Sequence, residues 1–545
     1  MSNMNAMKTH SKAMHVAITN RTYKGKTYSS TLLRQTYRED GKVKHRTLAN
    51  LSALPEDVVD IIRRALKGEA FISATDVLKI TSSKSHGAVC AILSVIRKIG
   101  LDKMLGGDAL WRSIVLGMMT ARLVEPGSKR FTAAYWQQTT LGSLLSLPES
   151  ISPNALYEAM DTLFARQSIL EKKLAKKHLE EGALVLYDLS SSYLEGTHCP
   201  LAAFGYSRDK KRSKKQFTYG LMTNKDGCPV AVEVFPGNRT DAKTLEDQMT
   251  RLREKYGLRR VVLVGDRGMI TKTRIIDLKN VGYDWITALR ARDIQHLYED
   301  GAFQLSLFDE RDVAEIEHPD YEGERLVLNR NPLMTEERRR NRQDLLLATE
   351  RNLEKIRVRV ETGKLVTADK IGLAVGKVID KHKMAKHFIL EISDGTFQYR
   401  RDEARIEKES RLDGIYIVRT DVPHEEMSMD EVVKTYKGLQ QVEQAFRNMK
   451  SLQLELRPVF HRLEDRVRAH VFLCMLAYYV QWHMVRSLRT LKEQDAETYG
   501  SFRLVMERLK SLQRNTVECA GKTFEQVTQP DAYQQKILDA LGVVL

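Results

Sequence analysis

The chain has 545 residues, 42% of them hydrophobic and 29% charged, which is too long for one ordinary core and too well balanced for a disordered or fibrous protein. Its 87 Lys and Arg outnumber 71 Asp and Glu and leave a formal net charge of +16, a surplus that suits a polyanionic partner, most simply nucleic acid. Five scattered cysteines without a C-x-x-C pair argue against a disulfide framework and against a zinc ribbon. The first twenty residues lack the apolar stretch of a signal peptide. The greasiest run, residues 471–485, is too short to span a bilayer and contains Gln481 and His483, so it reads as a buried helix. The expectation is a soluble, cytoplasmic protein with no membrane partner.

Residues 14–50 read as a small β unit with a hairpin turn at Asp40-Gly41, followed by a helix that begins at Pro55 and stops before Gly68. Apolar spacing is then helical from about Ser85 to Glu181. The pattern changes between 183 and 291. "ALVLYDLSSSY", "FTYGLMTNKDG" and "CPVAVEVFPGN" are strands, the last two joined by a turn at 225–227. An amphipathic helix, the continuously apolar strand "RRVVLVGDRG", a helix capped by Thr271 and the strand "DWITALRA" complete a β-β-β-α-β-α-β order. This is an α/β core: a mixed five-stranded sheet flanked by helices. Residues 292–425 combine charged helices and strands and read as an inserted α+β domain. Helical pattern returns at "SMDEVVKTYKGLQQVEQAFRNMKS", where Ser428 and Glu431 form a capping box, and again over 464–494. The expected division is 1–70 (hairpin and helix), 71–181 (helical), 182–291 (core, first part), 292–425 (insertion), 426–495 (core, second part) and 496–545 (mixed tail).

The two strands that end on acids carry the chemistry. An aspartate at a strand end is ordinarily a turn residue or a helix cap. Here the first and fourth strands of the sheet can lie side by side, which would bring Asp188 and Asp266 together. Carboxylates that close repel each other unless a cation or a proton lies between them. On a continuous helix over 429–451, Tyr436, Leu439, Glu443 and Lys450 fall within roughly a 60° arc, with Lys437 off that face. Glu443 would add a third hard oxygen ligand, a set suited to Mg²⁺ or Mn²⁺. Two such ions can activate a water or a 3′-OH and stabilise the leaving oxygen of an in-line phosphoryl displacement.

On "YDLSSSY" around Asp188, "GDRGM" around Asp266 and "YKGLQQVEQAFRNMK" from Tyr436 to Lys450, the chain resembles the DDE transposases of bacterial insertion sequences. Within them it resembles the branch with a large insertion and a Y-x2-R-x3-E-x6-K signature. The resemblance covers roughly 180–490. It implies an RNase H-like catalytic domain, with Asp188, Asp266 and Glu443 as catalytic acids and metal ligands for two Mg²⁺ or Mn²⁺ ions. It further implies DNA contacts by Tyr436 and Lys450, binding and cleavage of terminal inverted repeats, joining of the 3′-OH to target DNA, and a synaptic homodimer. The N-terminal and helical modules would recognise the ends. Leu439 stands where the signature has Arg, and Arg447 is the expected substitute. The basic run Lys210, Lys211, Arg212, Lys214 and Lys215, together with Arg267 beside Asp266, is expected on the DNA backbone. The "TEERRRNR" stretch reads as a solvated helix face and Trp285 as a core residue rather than a base-stacking one. His461 and Arg462 are candidate DNA contacts, His470 is expected to be packed, and no His spacing resembles a zinc site. Two alternatives remain at this stage: a nuclease that only hydrolyses, and a catalytically silent DNA-binding protein on the same scaffold.

Overall fold

The structure, a computed structural model, describes residues 14–69, 78–196, 198–206, 208, 213–308, 311–519 and 522–545. It divides into two units, Met1–Ser83 with Asn515–Gln526 and Lys84–Arg514 with Val527–Leu545.

The first unit is built on an antiparallel meander of β1 (Met14–Tyr23), β2 (Lys26–Glu39) and β3 (Lys42–Asn50). Both turns, Lys24-Gly25 and Asp40-Gly41, have positive φ at each residue, the geometry that lets a two-residue hairpin follow the strand twist. After the helix Glu56–Leu66, β4 (Leu78–Ser85) joins strands Gln513–Cys519 and Lys522–Val527 in a second sheet. Residues expected to form a mixed tail are therefore sheet strands, paired with a segment more than four hundred positions away in sequence, a contact that no local pattern announces.

The second unit holds the large mixed α/β layer. Its sheet contains β5 (Ala183–Tyr193), β6 (Gln216–Asn224), β7 (Pro229–Pro236), β8 (Val261–Val264), β9 (Asp284–Ala288), β10 (Val313–Ile316), β11 (Arg325–Arg330) and β14 (Ile415–Thr420), in the order β10-β11-β14-β9-β8-β5-β6-β7. β5, β8 and β9 run parallel, and β6 and β7 continue antiparallel from β5. All four residues of β8 are buried, as a strand flanked on both edges and covered on both faces requires.

The sheet thus has eight strands rather than the five expected. β14 pairs antiparallel with β9 and is followed by β11 and β10, so part of 292–425 extends the core sheet instead of standing apart. This pairing covers the edge of β9, whose backbone groups would otherwise lie open. The middle of the segment has a core of its own, formed by helices Pro332–Glu361 and Ala368–His382 against the hairpin of β12 (Phe388–Ser393) and β13 (Thr396–Arg401), and a second small core gathers Ile294, Leu297, Phe303, Phe308, Leu326, Leu328 and Ile417 around β11 and β14.

Helix Glu464–Ser487 is buried over nearly all its faces from Val467 to Met484 and packs on β7 and on helices Ala109–Val124 and Pro153–Ala165. Helices Phe502–Lys510 and Ala532–Leu541, also expected in the tail, contribute to the same core. Among the described residues no helix is long and apolar enough to cross a membrane.

Candidate active site

Strand register brings the two aspartates together. Leu186 of β5 pairs with Val264 of β8, so Asp188, two residues on in β5, and Asp266, two residues past the end of β8, lie at the same end of neighbouring parallel strands. β8 ends at Val264, so Asp266 sits on the following turn, where its carbonyl accepts the Met269 and Ile270 amides at 2.9 and 3.0 Å. The Asp188 side chain is partly buried, and its Oδ1 accepts the Leu189 N–H at 2.7 Å. Burial raises the Asp188 carboxyl to about 7. The Leu189 amide and Arg208 pull it down, and the charges of Asp266 and Glu443 push it further up.

Glu443 arrives on a broken helix. The expected capping box is present, with Ser428 and Glu431 exchanging hydrogen bonds at the start of Met429–Lys437. The helix breaks at Gly438, resumes over Leu439–Arg447 and ends in a π-helical turn, Asn448–Leu452. A Cβ at Gly438 would lie 2.8 Å from the Thr435 carbonyl oxygen of the preceding turn, which glycine avoids, and 3.6 Å from Leu186 Cδ1, an ordinary contact with the strand that carries Asp188.

Asp188, Asp266 and Glu443 line one cavity of about 340 Å³ with Tyr436, Lys437, Leu439 and Gln440. Tyr416 and the start of the insertion helix, Asn331, Met334 and Arg338, form its other wall. No lysine or arginine among the described residues is ion-paired to any of the three acids. Their oxygens do not all come within 4.8 Å of one another. Burial, followed by the charge of Asp266, pushes the Tyr436 phenol well up, so it faces the cavity as a neutral hydroxyl.

Other expected residues are distributed differently. Lys437 lines the cavity although a continuous helix would turn it away. Arg447 and Lys450 do not line it: Arg447 is exposed and donates to Gln444 Oε1 at 2.9 Å, and Lys450 is buried in the π-helical turn. The single-face expectation assumed unbroken α-helical phase, which the break at Gly438 and the wider turn both change. Arg267 is exposed beside Asp266 and borders two adjoining cavities. Lys210, Lys211 and Arg212 lie outside the described residues. Lys215 is exposed, and Lys214 pairs with Glu195 at 2.6 Å over the Tyr193 ring.

The "TEERRRNR" helix face is not wholly solvated, since Arg338 reaches the acid cavity and Arg342 pairs with Asp413 at 2.5 Å. Sequence reasoning missed Arg338 because the insertion had no visible tie to the core. Trp285 is fully buried and His470 is packed, as expected. A group that sequence spacing did not show is His178, Cys228 and His483, whose ligand atoms lie within 4.8 Å of one another. His178 Nε2 is already engaged with Tyr479 Oη at 2.9 Å, and the group shares no residue with the acid cavity.

Residues 188–480 match the family model described as a transposase DDE domain, and residues 16–76 match the N-terminal domain of IS1634 family transposases. No curated protein matches the chain. Among solved structures, the chain is similar to one described as the cryo-EM structure of the piggyBac transposase synaptic complex with hairpin DNA. That likeness has 10% identity and a TM-score of 0.34, and covers 78% of this chain and 76% of the other.

Proposed function

The chain belongs to the family of DDE transposases, and from that premise we propose that Asp188, Asp266 and Glu443 are its catalytic acids and hold two divalent cations, Mg²⁺ or Mn²⁺. It is an insertion-sequence transposase, and its substrate is DNA. The observation that carries the residue assignment is the register of β5 and β8, which sets two aspartates level beneath the helix of Glu443 in one cavity.

The donor set fits hard divalent ions: three carboxylates with no cationic side chain paired to them, one of them held against ionisation by burial and by the other two. Carboxylates spread beyond 4.8 Å suit two ions better than one, because the outer ligands of a two-ion site need not approach each other. When bound, the ions supply charge for the attacking and leaving oxygens of an in-line phosphoryl displacement.

The chain's own groups do the positioning. Asp188, fixed by the Leu189 amide, and Asp266, fixed by its turn, set the floor of the site, while Glu443 closes it from above. The neutral Tyr436 hydroxyl can donate to a phosphate oxygen without repelling it. Lys437 and Arg338 supply the positive charge that Leu439 does not, and Arg338 is the guanidinium that substitutes for the signature Arg. Arg267, Lys214 and Lys215 lie further out and contact the DNA backbone, with Arg447 and Lys450 outside the cavity itself.

The order of β9, β8, β5, β6 and β7 supports an RNase H-like reading of this core. The chain binds the terminal inverted repeats of its element, cleaves there and joins the 3′-OH to target DNA as a homodimer, in the bacterial cytoplasm at the nucleoid. The first unit takes part in end recognition. The test supplies pre-cleaved ends, Mg²⁺ and a target plasmid. Joined products from the wild-type chain, and none from Asp188→Asn, Asp266→Asn or Glu443→Gln, support the reading. Hydrolysis without joining would make the protein a nuclease only.

A further inference from the structure

A second cavity, of about 500 Å³, has the opposite chemistry to the first. One wall is the end of helix Ala109–Val124, the loop after it, and the start of helix Lys129–Trp136. The other is the "RPVFHRLEDRVRAH" segment and the first turns of helix Glu464–Ser487. Arg122, Lys129, Arg457, Arg462 and Arg466 line it, against one lining carboxylate, the exposed Glu455.

These cations are not equivalent. Arg122 is spent on structure, donating to the carbonyls of Leu454, Glu455 and Gly127 at 3.3, 3.4 and 2.8 Å. Arg466 grips Asp161 through two hydrogen bonds of 3.0 and 2.9 Å. Lys129 is different: the residue is 4% exposed, and among the described residues nothing hydrogen-bonds to its amine or ion-pairs with it. Burying an unpaired ammonium is costly, and burial together with Arg122 lowers this amine to about 7. Beside it, burial first and then Lys129 and Arg122 push His461 down to about 3, and His470 Nδ1 is buried with no partner. A fold that concentrates positive charge and leaves its deepest cation unanswered is set up for an anion. The helix Lys129–Trp136 adds to this, since it begins at the cavity, where Ser128 and Lys129 line the wall, and Ser128 caps the Phe131 amide at 3.1 Å.

The cavity is tied to the strand of Asp188. Leu194, just beyond β5, bridges to Val459, the Glu195 amide donates to the Val459 carbonyl at 2.9 Å, and Arg457 lies over the Tyr193 ring at 5.3 Å. Tyr193 is five residues beyond Asp188 on the same strand, roughly 17 Å along it at the usual rise, or about five base pairs of duplex measured along the helix axis.

We propose that this cavity is a phosphate site, in which Lys129, Arg457, Arg462 and the N-terminus of helix Lys129–Trp136 take one non-scissile phosphate of the DNA strand that reaches the three acids. This rests on the reading of the chain as a DNA-joining enzyme. It gives the strand a second anchor a few nucleotides from the reacting bond, one that fixes its register without reading its bases.

Amine acylation followed by peptide mass spectrometry on the full chain reads Lys129 directly. With a duplex carrying the element's terminal repeat, taken from the DNA flanking the gene, Lys129 acylation is expected to fall at least tenfold. Inorganic phosphate at the same phosphate concentration is expected to change it little. Lys129→Gln should weaken duplex binding roughly tenfold and lower the slope of log K against log salt by about one. Arg462→Gln, at the exposed rim, should shift both in the same direction, and it serves where Lys129→Gln does not fold. If the wild-type chain binds and joins the duplex while Lys129 stays unprotected and Arg462→Gln keeps the full slope, the cavity proposal is overturned and the reading of the chain stands. Protection by inorganic phosphate but not by duplex overturns the DNA assignment. A wild-type chain that neither binds nor joins DNA overturns both.

Discussion

The molecule leaves charge unanswered in two places, with opposite sign. In the acid cavity three carboxylates share about 340 Å³ without an ion-paired lysine or arginine among the described residues. In the basic cavity a nearly buried lysine sits among arginines without a carboxylate partner among the described residues. The acids are held by backbone register and a turn, and two of them, Asp266 and Glu443, remain exposed. The lysine is held by packing and is shielded from water. A site of hard oxygens suits ions that keep several waters. A basic cavity with a nearly buried lysine and an exposed arginine at its rim suits an anion. In the proposed reading the two cavities divide the work: one does chemistry at a phosphate, and the other grips a phosphate that does not react.

Loss of an acid is the strongest way to break this contrast. Asp188→Asn, Asp266→Asn or Glu443→Gln should each reduce single-turnover cleavage by at least about 10³-fold, on the order of 4 kcal/mol of barrier, while duplex binding changes only a few-fold. A large binding defect from the same variants would mean that the acids serve the fold. The Lys129→Gln variant should show the reverse pattern, with binding down roughly tenfold and single-turnover cleavage at saturating DNA reduced far less than in the acid variants.

Arg338→Ala sharpens the comparison on the acid side. If this guanidinium stands in for the signature Arg replaced by Leu439, cleavage should fall about tenfold, and Leu439→Arg in the same chain should restore part of it. Arg447→Ala, outside the cavity, should change cleavage less than twofold, within the range of most surface substitutions.

The smallest effect concerns stability. The Asp188 carboxyl is raised from 3.8 to about 7, so the fold favours its protonated form. The stability that this proton contributes is complete below about pH 4 and is lost as pH rises through about 7. In chelator, Asp188→Asn should therefore be more stable than wild type by on the order of 1 kcal/mol at pH 8 and by little at pH 4, as thermal melts would show. Addition of Mg²⁺ at pH 8 should raise the wild-type midpoint and leave that of the variant nearly unchanged.

Much of the acid cavity is legible in the sequence, because strand period and apolar runs are local signals. "ALVLYDLSS" and "VVLVGDRG" each show a buried strand ending near an acid, and the β-β-β-α-β order brings the two strands together. The capping box at Ser428 is equally local and is present. What is not legible depends on distant contacts or on a change of helix phase. The helix is interrupted at Gly438 and again by the π-helical turn at Asn448–Leu452, and Lys437 lines the cavity while Lys450 stays out. Arg338 lines the acid cavity from the helix that follows β11, which β14 joins to β9. Lys129 looks like any helix-start lysine until the segment after Glu443 folds over it.

The central claim is that Asp188, Asp266 and Glu443 form one metal-dependent DNA-joining site. It is tested most directly by strand transfer from pre-cleaved terminal ends to a plasmid, with Mg²⁺ and with chelator, for the wild type and the three single-acid variants. The account predicts joined product only for the wild type with Mg²⁺. Joining that persists in chelator, or in any of the three variants, would contradict it.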